Sequence, residues 1–235
     1  MKKVIYVTSS QMANVDRIAV KKYGINILQL MENAGRNLAD FVSGLKPKKV
    51  VVFFGKGNNG GGGLVAARHL TIRKINTEIV SASSEINETP MKQLYTLRKM
   101  GIKEKGDFKL KKGDVIIDAL LGYNIKGDPK ERYADMINSM NFMKKKGIKV
   151  VSLDLPSGLN PDSGKPYNPC VRADYTITLA LPKVGLRLAS KKIIGKVFLA
   201  NIGIPDKAYS DLNISIKNYF SKNNIIPIKC QEPLD

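Results

Sequence analysis

Cysteine is scarce in this chain: two residues in 235, Cys170 and Cys230, at no metal-ligand spacing. That excludes a cysteine-built zinc site and gives no basis for a disulfide framework. Histidine is scarcer still. His69 stands alone, in a helical stretch with no ligand pattern nearby, and reads as a structural residue. Long apolar runs are missing too. Behind Met1-Lys2-Lys3 only Val4 to Val7 are apolar, too few for a secretory h-region, and no stretch reaches the length of a membrane span. A soluble, cytoplasmic protein is the expectation. Acidic residues are outnumbered, 20 Asp and Glu against 39 Lys and Arg, for a net charge of +19. Such a field attracts polyanions. Yet the lysines are scattered (Lys21-Lys22, Lys46 to Lys49, Lys144 to Lys146), with no RNP-like aromatic motif, zinc-finger spacing or Arg-rich tail. A solvated basic surface is therefore favoured over a nucleic-acid interface.

What the chain does contain is alternation. Apolar runs at Val50–Phe54, Glu78–Ala82, Val115–Leu120, Val150–Leu153, Tyr175–Leu179 and Val197–Asn201 read as buried strands. Helical patterns at Gly63–Ile75, Met91–Met100 and Tyr133–Lys146 fall between them. Two more helices, about Gln11–Tyr23 and Ile27–Ser43, come before the first strand. This order predicts an α/β fold whose parallel sheet is covered on both faces. With no internal repeat or low-complexity linker, residues 1–220 read as one domain and 221–235 as a frayed tail.

Three strand ends carry polar residues where an open parallel sheet binds ligands. The first is Gly55-Lys56-Gly57-Asn58-Asn59 followed by four glycines, Gly60 to Gly63, ahead of a helix. Glycines there permit left-handed angles and close approach to a ligand, and the free amides of the helix start favour a phosphate. A purely structural turn is the alternative. The second is Asp118, which interrupts the run Ile116 to Leu121 ahead of Gly122; the third is Asp154-Leu155-Pro156-Ser157-Gly158. Carboxylates in apolar sequence are costly unless paired, hydrogen-bonded or metal-bound. Together these groups suit a hard cation, although Asp154 alone could merely cap its turn.

These blocks, with Leu30-Met31-Glu32-Asn33-Ala34-Gly35, Ala173-Asp174, Pro182-Lys183 and Ile202-Gly203-Ile204-Pro205, carry a resemblance over nearly the whole chain. The sequence resembles the NAD(P)H-hydrate epimerase family, also called the YjeF N-terminal domain family. The resemblance implies a Rossmann-like three-layer αβα sandwich with a mostly parallel central sheet, typically a homodimer. The implied activity interconverts R and S forms of hydrated NADH and NADPH. It further implies that Asn58, Asn59, Gly60, Gly61 and Gly62, with Gly122, Tyr123, Asn124, Ile125, Lys126, Gly127 and Asp128, wrap the cofactor phosphates and sugar. Asn59, Asp118 and Ser157 would hold one potassium ion, and Asp154 would meet the reacting ring. Many relatives fuse a dehydratase behind this domain; for a chain ending at Asp235 a separate dehydratase is expected. Two departures stand out. Gly62 replaces an aspartate usual in the family's glycine turn, and Gly122-Tyr123-Asn124-Ile125-Lys126 replaces Gly-Thr-Gly-Leu and a basic residue.

The chemistry agrees with Asp154 as the catalytic group. Loss of the C6 hydroxyl from the hydrate needs a proton at the leaving oxygen and negative charge near the resulting ring cation; a buried Asp154 with a raised pKa would supply both. Glu32 and Asn33 line either the pocket or a dimer contact, and Lys183 touches phosphate or solvent. A dehydrogenase using intact NAD fits poorly, because Glu78 stands at the start of its strand rather than near the end. A catalytically silent, ligand-binding or RNA-associated scaffold is the alternative, consistent with the charge and with Gly62.

Overall fold

The computed structural model describes residues 4–216 and 219–230. Two helices open the chain, each with a capping box. In α1 (Ser9–Lys21) the Thr8 hydroxyl accepts from Gln11 N, and Gln11 Oε1 accepts from Thr8 N. In α2 (Ile27–Gly44) Asn26 Oδ1 accepts from Leu28 N, and Gln29 Oε1 from Asn26 N. Each box satisfies amides that a helix start otherwise leaves unpaired. Alternation then begins with β1 (Lys49–Phe54), α3 (Asn58–Ile72), β2 (Asn76–Ser81) and α4 (Glu88–Lys99). It continues with β3 (Val115–Ala119), α5 (Glu131–Lys145), β4 (Lys149–Leu153) and β5 (Tyr175–Leu179). The short helices α6 (Val184–Leu188) and α7 (Lys191–Ile194), then β6 (Lys196–Ala200), α8 (Asp206–Ser210) and β7 (Ile225–Ile228), complete the order.

The seven strands form one sheet in the order β2-β1-β3-β4-β5-β6-β7. All neighbours are parallel except β6 and β7. Successive residues of β1 face opposite layers, the period-two rule of a strand. Val50, Val52 and Phe54 pack with Leu38 and Val42 of α2, Leu64 and Leu70 of α3, and Leu94 and Leu97 of α4. Val51 and Phe53 pack with Met136, Ile137 and Met140 of α5. The αβα sandwich is thus as expected, and each such fully buried side chain contributes about 1.5–3 kcal/mol. The strand order reverses between β1 and β3, so the crevice at their carboxyl ends is the place for a ligand. Among the described residues no helix is long and apolar enough to cross a membrane.

Two expectations need correction. The stretch from 221 onward is not simply a tail: Ile225–Ile228 is the antiparallel edge strand β7. Pro227, which lacks an N–H, fits an edge strand and obscures it in the sequence; residues 231–235 lie outside the described residues. The glycine tract is the second correction. Helix α3 starts at Asn58, not Gly63, and none of Gly55, Gly57 and Gly60 to Gly63 takes a positive φ. These glycines serve close approach instead. A Cβ on Gly60 would lie 1.9 Å from the Gly55 carbonyl oxygen, one on Gly61 2.5 Å from Met31 Sδ, and one on Gly63 2.5 Å from Ala119 Cβ. Opposite, a Cβ on Gly35 of α2 would meet Val65 Cβ at 2.4 Å. Helix α3 is thereby drawn tightly onto both α2 and the sheet.

Candidate functional site

A cavity of about 560 Å³ opens at the carboxyl ends of β1, β3 and β4. Its floor is apolar: Ile27, Leu30, Met31 and Ala34 from α2, with Leu153 and Leu179 from the sheet. One end is electropositive. Lys56, Gly57, Asn58 and Asn59 line it at the start of α3, whose N-cap Gly57 makes no side-chain cap bond. The helix amides and dipole therefore face the cavity. Tyr133 of α5 steadies this end, its hydroxyl accepting from Lys56 N at 3.2 Å. The loop after β3 supplies another wall, Leu120 to Ile125.

Asp154 lies at the other end, directly after β4, with φ +68°, the left-handed region that aspartate tolerates better than most residues. Such a conformation costs of order 1–3 kcal/mol and is held by its surroundings. Here Asp154 N donates to Ile177 O at 2.8 Å. Asp154 is 3% exposed as a residue and Lys183 1%, and the two side chains form an ion pair. Thr178 Oγ1 and Leu179 N stand 3.4 Å from the same carboxylate oxygen. Lys183 also donates to Leu179 O at 3.2 Å and lies 5.4 Å from the centre of the Tyr123 ring. Lys183 is thus neither a phosphate ligand nor a surface lysine. The Asp154 carboxylate is held by a buried ammonium rather than open to solvent.

A second carboxylate enters the cavity from α1. Asp16 accepts from the Tyr123 hydroxyl at 2.5 Å. Burial pushes its pKa up, as does the Asp154 charge, while the Tyr123 hydrogen bond and the Lys183 charge pull it down; the net direction is upward. Tyr123 is also raised, by burial first and then by Asp16.

Asp118 is behind the cavity wall, fully buried and saturated. Oδ1 accepts from Ser157 Oγ at 2.5 Å and Leu120 N at 3.3 Å, and Oδ2 from Ser152 Oγ at 2.7 Å and Ser157 N at 2.9 Å. Burial raises its pKa against the pull of these donors. Asn59 Nδ2 donates to Leu121 O at 3.1 Å, and Leu121 N donates to Ser157 Oγ at 3.0 Å. Asn59, Asp118 and Ser157 are therefore joined through one loop.

Asn58, Asn59, Gly62, Gly122, Tyr123, Asn124, Ile125 and Asp154 line the cavity. Gly60 and Gly61 lie beneath it, as packing surfaces. Lys126, Gly127 and Asp128 do not reach the wall; Asp128 Oδ1 instead accepts from Asn168 N at 2.9 Å, pinning the loop outward. Lys56, rather than Lys126, lines the cavity. Glu32 clamps α2 to α3 through Arg68 and His69, which makes His69 structural, and Asn33 donates to Ile202 O. Asp16 and Tyr133 carry no signal of a site role in the sequence comparable to the glycine turn that holds Lys56. The one available signal for Asp16 is that it is the only acidic residue of α1, flanked by the buried Val15 and Ala19.

The family described as YjeF-related protein N-terminus matches residues 27–185. An NAD(P)H-hydrate epimerase of Dehalogenimonas lykanthroporepellens is 36% identical over 92% of this chain and 88% of its own length. A bifunctional NAD(P)H-hydrate repair enzyme, Nnr, of Moorella thermoacetica is 35% identical over 86% of this chain, which spans only 41% of that relative. The crystal structure of a yeast protein superposes with a TM-score of 0.84 at 25% identity, covering 96% of this chain and 100% of its own. With that match spanning the glycine helix, both loops and the Asp154–Lys183 pair, the chain belongs to the family of YjeF-related N-terminal domains.

Proposed function

We propose that the protein is an NAD(P)H-hydrate epimerase, an isomerase interconverting the R and S forms of hydrated NADH and NADPH. The observation that carries this reading is the polarity of the cavity. Lys56 and the uncapped start of α3 suit pyrophosphate at one end, and an apolar slot leads to the Asp154–Lys183 pair at the other. Relatives bearing that activity in their names align over most of the chain. In the hydrate, the ring nitrogen lone pair expels the protonated C6 hydroxyl as water, leaving a planar cation open to water from either face. Asp154, anchored by Lys183, holds negative charge against that cation, and the phosphate end keeps the intermediate from escaping.

The Asn59 amide, Asp118 carboxylate and Ser157 hydroxyl have the all-oxygen donor chemistry of a potassium site. Asn59 Oδ1 accepts no hydrogen bond among the described residues, while Asp118 and Ser157 would share with the ion the oxygens that now hydrogen-bond each other. A cation bound there offsets the Asp118 charge and stiffens the loop facing the phosphates. The same reading includes a second copy of the chain as partner, a dehydratase acting on the same hydrates, and a cytoplasmic location. The test is to separate the R and S hydrates and follow their interconversion with and without protein, at a pH where the spontaneous reaction is slow. Acceleration supports the epimerase. Hydrate or RNA binding without acceleration overturns it in favour of the silent scaffold that the +19 charge and Gly62 allow.

A further inference from the structure

The cavity holds two carboxyl groups, and their surroundings differ in kind. Asp154 has a buried ammonium against it, two further donors near 3.4 Å and a place in the sheet edge. Asp16 comes from a different layer, α1, and the Tyr123 hydroxyl is its one hydrogen-bond partner among the described side chains. The two are linked by Tyr123, whose hydroxyl serves Asp16 while its ring lies beside Lys183. The groups facing Asp16 are Tyr123 from the loop after β3, Tyr209 from α8, and, across the cavity, Lys183 and Asp154. Among the described residues no cation is in salt-bridge contact with it.

We infer that Asp16, held by the Tyr123 hydroxyl, is the catalytic acid and base at the C6 hydroxyl, and that Asp154 is the fixed charge facing the ring. This rests on the epimerase reading. In the forward step the Asp16 carboxyl gives its proton to the C6 oxygen, the C6–O bond breaks with its electron pair leaving on water, and the nitrogen lone pair forms the C=N bond. In the return step water adds to C6, the C=N electrons return to nitrogen, and the surplus proton passes to the Asp16 carboxylate. No proton or electron is gained overall. Two carboxyl groups in unlike surroundings, one ion-paired and one held by a neutral hydroxyl, are a recurring way to divide such work. Burial supports the division, since the net shift at Asp16 is upward.

The test is the pH profile of kcat/KM for R-to-S conversion, corrected for the spontaneous reaction, in wild type, Asp16→Asn and Tyr123→Phe. Wild-type activity is expected to fall as pH rises through the ionisation of Asp16, above the ordinary carboxylate value of 3.8. Asp16→Asn should be slower by about 10²–10⁴-fold and lose that alkaline fall. Tyr123→Phe removes a donor that favours the carboxylate, so the fall should move to higher pH in a folded, active enzyme. This second variant decides the matter if Asp16→Asn does not fold. An Asp16→Asn enzyme with wild-type rate and profile, or a Tyr123→Phe profile that does not move, overturns the assignment. Absence of wild-type acceleration overturns instead the epimerase reading on which it rests.

Discussion

Lys183 and Asp154 form an ion pair from which water is almost wholly excluded, the lysine side chain 1% exposed and the aspartate 5%. Removing one member of such a pair leaves a charge that neither solvent nor a partner can stabilise, at about 3–5 kcal/mol. Lys183→Met should therefore lower the urea midpoint by that equivalent with an unchanged m-value. The double variant Lys183→Met with Asp154→Asn has no buried charge left and should be more stable than Lys183→Met alone. Simple additivity of the two changes would show that the pair is not coupled.

Asp154→Asn also leaves a buried charge, the Lys183 ammonium, without its counter-ion; the amide oxygen and the Leu179 carbonyl still accept from it, so the loss of stability should be smaller than in Lys183→Met. Its effect should appear in turnover. Charge placed against a developing cation in a water-poor site contributes roughly 10²–10³ in rate per group, and kcat for hydrate interconversion should drop by that factor. Hydrate binding should change little, since Lys56 and the α3 amides hold the phosphate end separately. Wild-type turnover in a folded Asp154→Asn would reduce Asp154 to a turn residue.

Glu32 ties α2 to α3 by accepting from Arg68 and His69. Burial pushes its pKa up, but the His69 hydrogen bond and the charges of Arg68, His69 and Arg36 outweigh this and lower it from 4.5. A carboxylate depressed in the folded state contributes stability above its unfolded value and loses it as pH falls through the folded one. The clamp should thus weaken below about pH 4.5, by at most about 1 kcal/mol given its partial exposure. Glu32→Gln should unfold at lower stability at neutral pH yet lose less between pH 5 and 3. Parallel acid titrations of both proteins would reveal the wild type failing to lose more if the clamp contributes nothing.

The sheet and most helices were legible because buried parallel strands and amphipathic helices write themselves in local runs such as Val50 to Phe54. The polar strand ends were legible for the same reason, Asp118 and Asp154 being isolated in apolar sequence. What stayed hidden was non-local. Lys183 is 29 residues from Asp154 and Tyr123 is 107 from Asp16, so nothing in either neighbourhood signals the pairing. Glycine misled in a different way. Its low helix propensity points to a turn, yet Gly60 to Gly63 are helical because packing against Met31, Leu153 and Ala119 overrides propensity.

The potassium proposal can be tested without any substrate. Asn59 Oδ1, Asp118 and Ser157 present oxygens around one loop, and a carboxylate buried there benefits from positive charge. Thermal unfolding in potassium chloride should therefore occur at higher temperature than in a bulky organic cation at equal ionic strength, and Asn59→Ala should remove the difference. Equal melting temperatures in both salts would end the potassium proposal.

The glycine tract allows a graded steric test inside one helix. A Cβ at Gly60 would sit 1.9 Å from the Gly55 carbonyl oxygen, a backbone atom that cannot turn aside. A Cβ at Gly62 meets only Leu153 Cδ2, at 2.8 Å, the tip of a side chain that can change rotamer. Overpacking typically costs 1–3 kcal/mol, whereas alanine gains about 1 kcal/mol over glycine within a helix. Gly60→Ala should then be destabilised by about 2 kcal/mol, the top of that range less the helix gain, while Gly62→Ala should be close to neutral. Gly62→Asp should likewise fold, and because helix amides rather than that side chain face the phosphates, hydrate affinity should change by no more than about tenfold. Equal damage at 60 and 62 would show that close backbone approach does not explain the tract. An inactive wild type revived by Gly62→Asp would make the missing carboxylate, not the fold, the reason for silence.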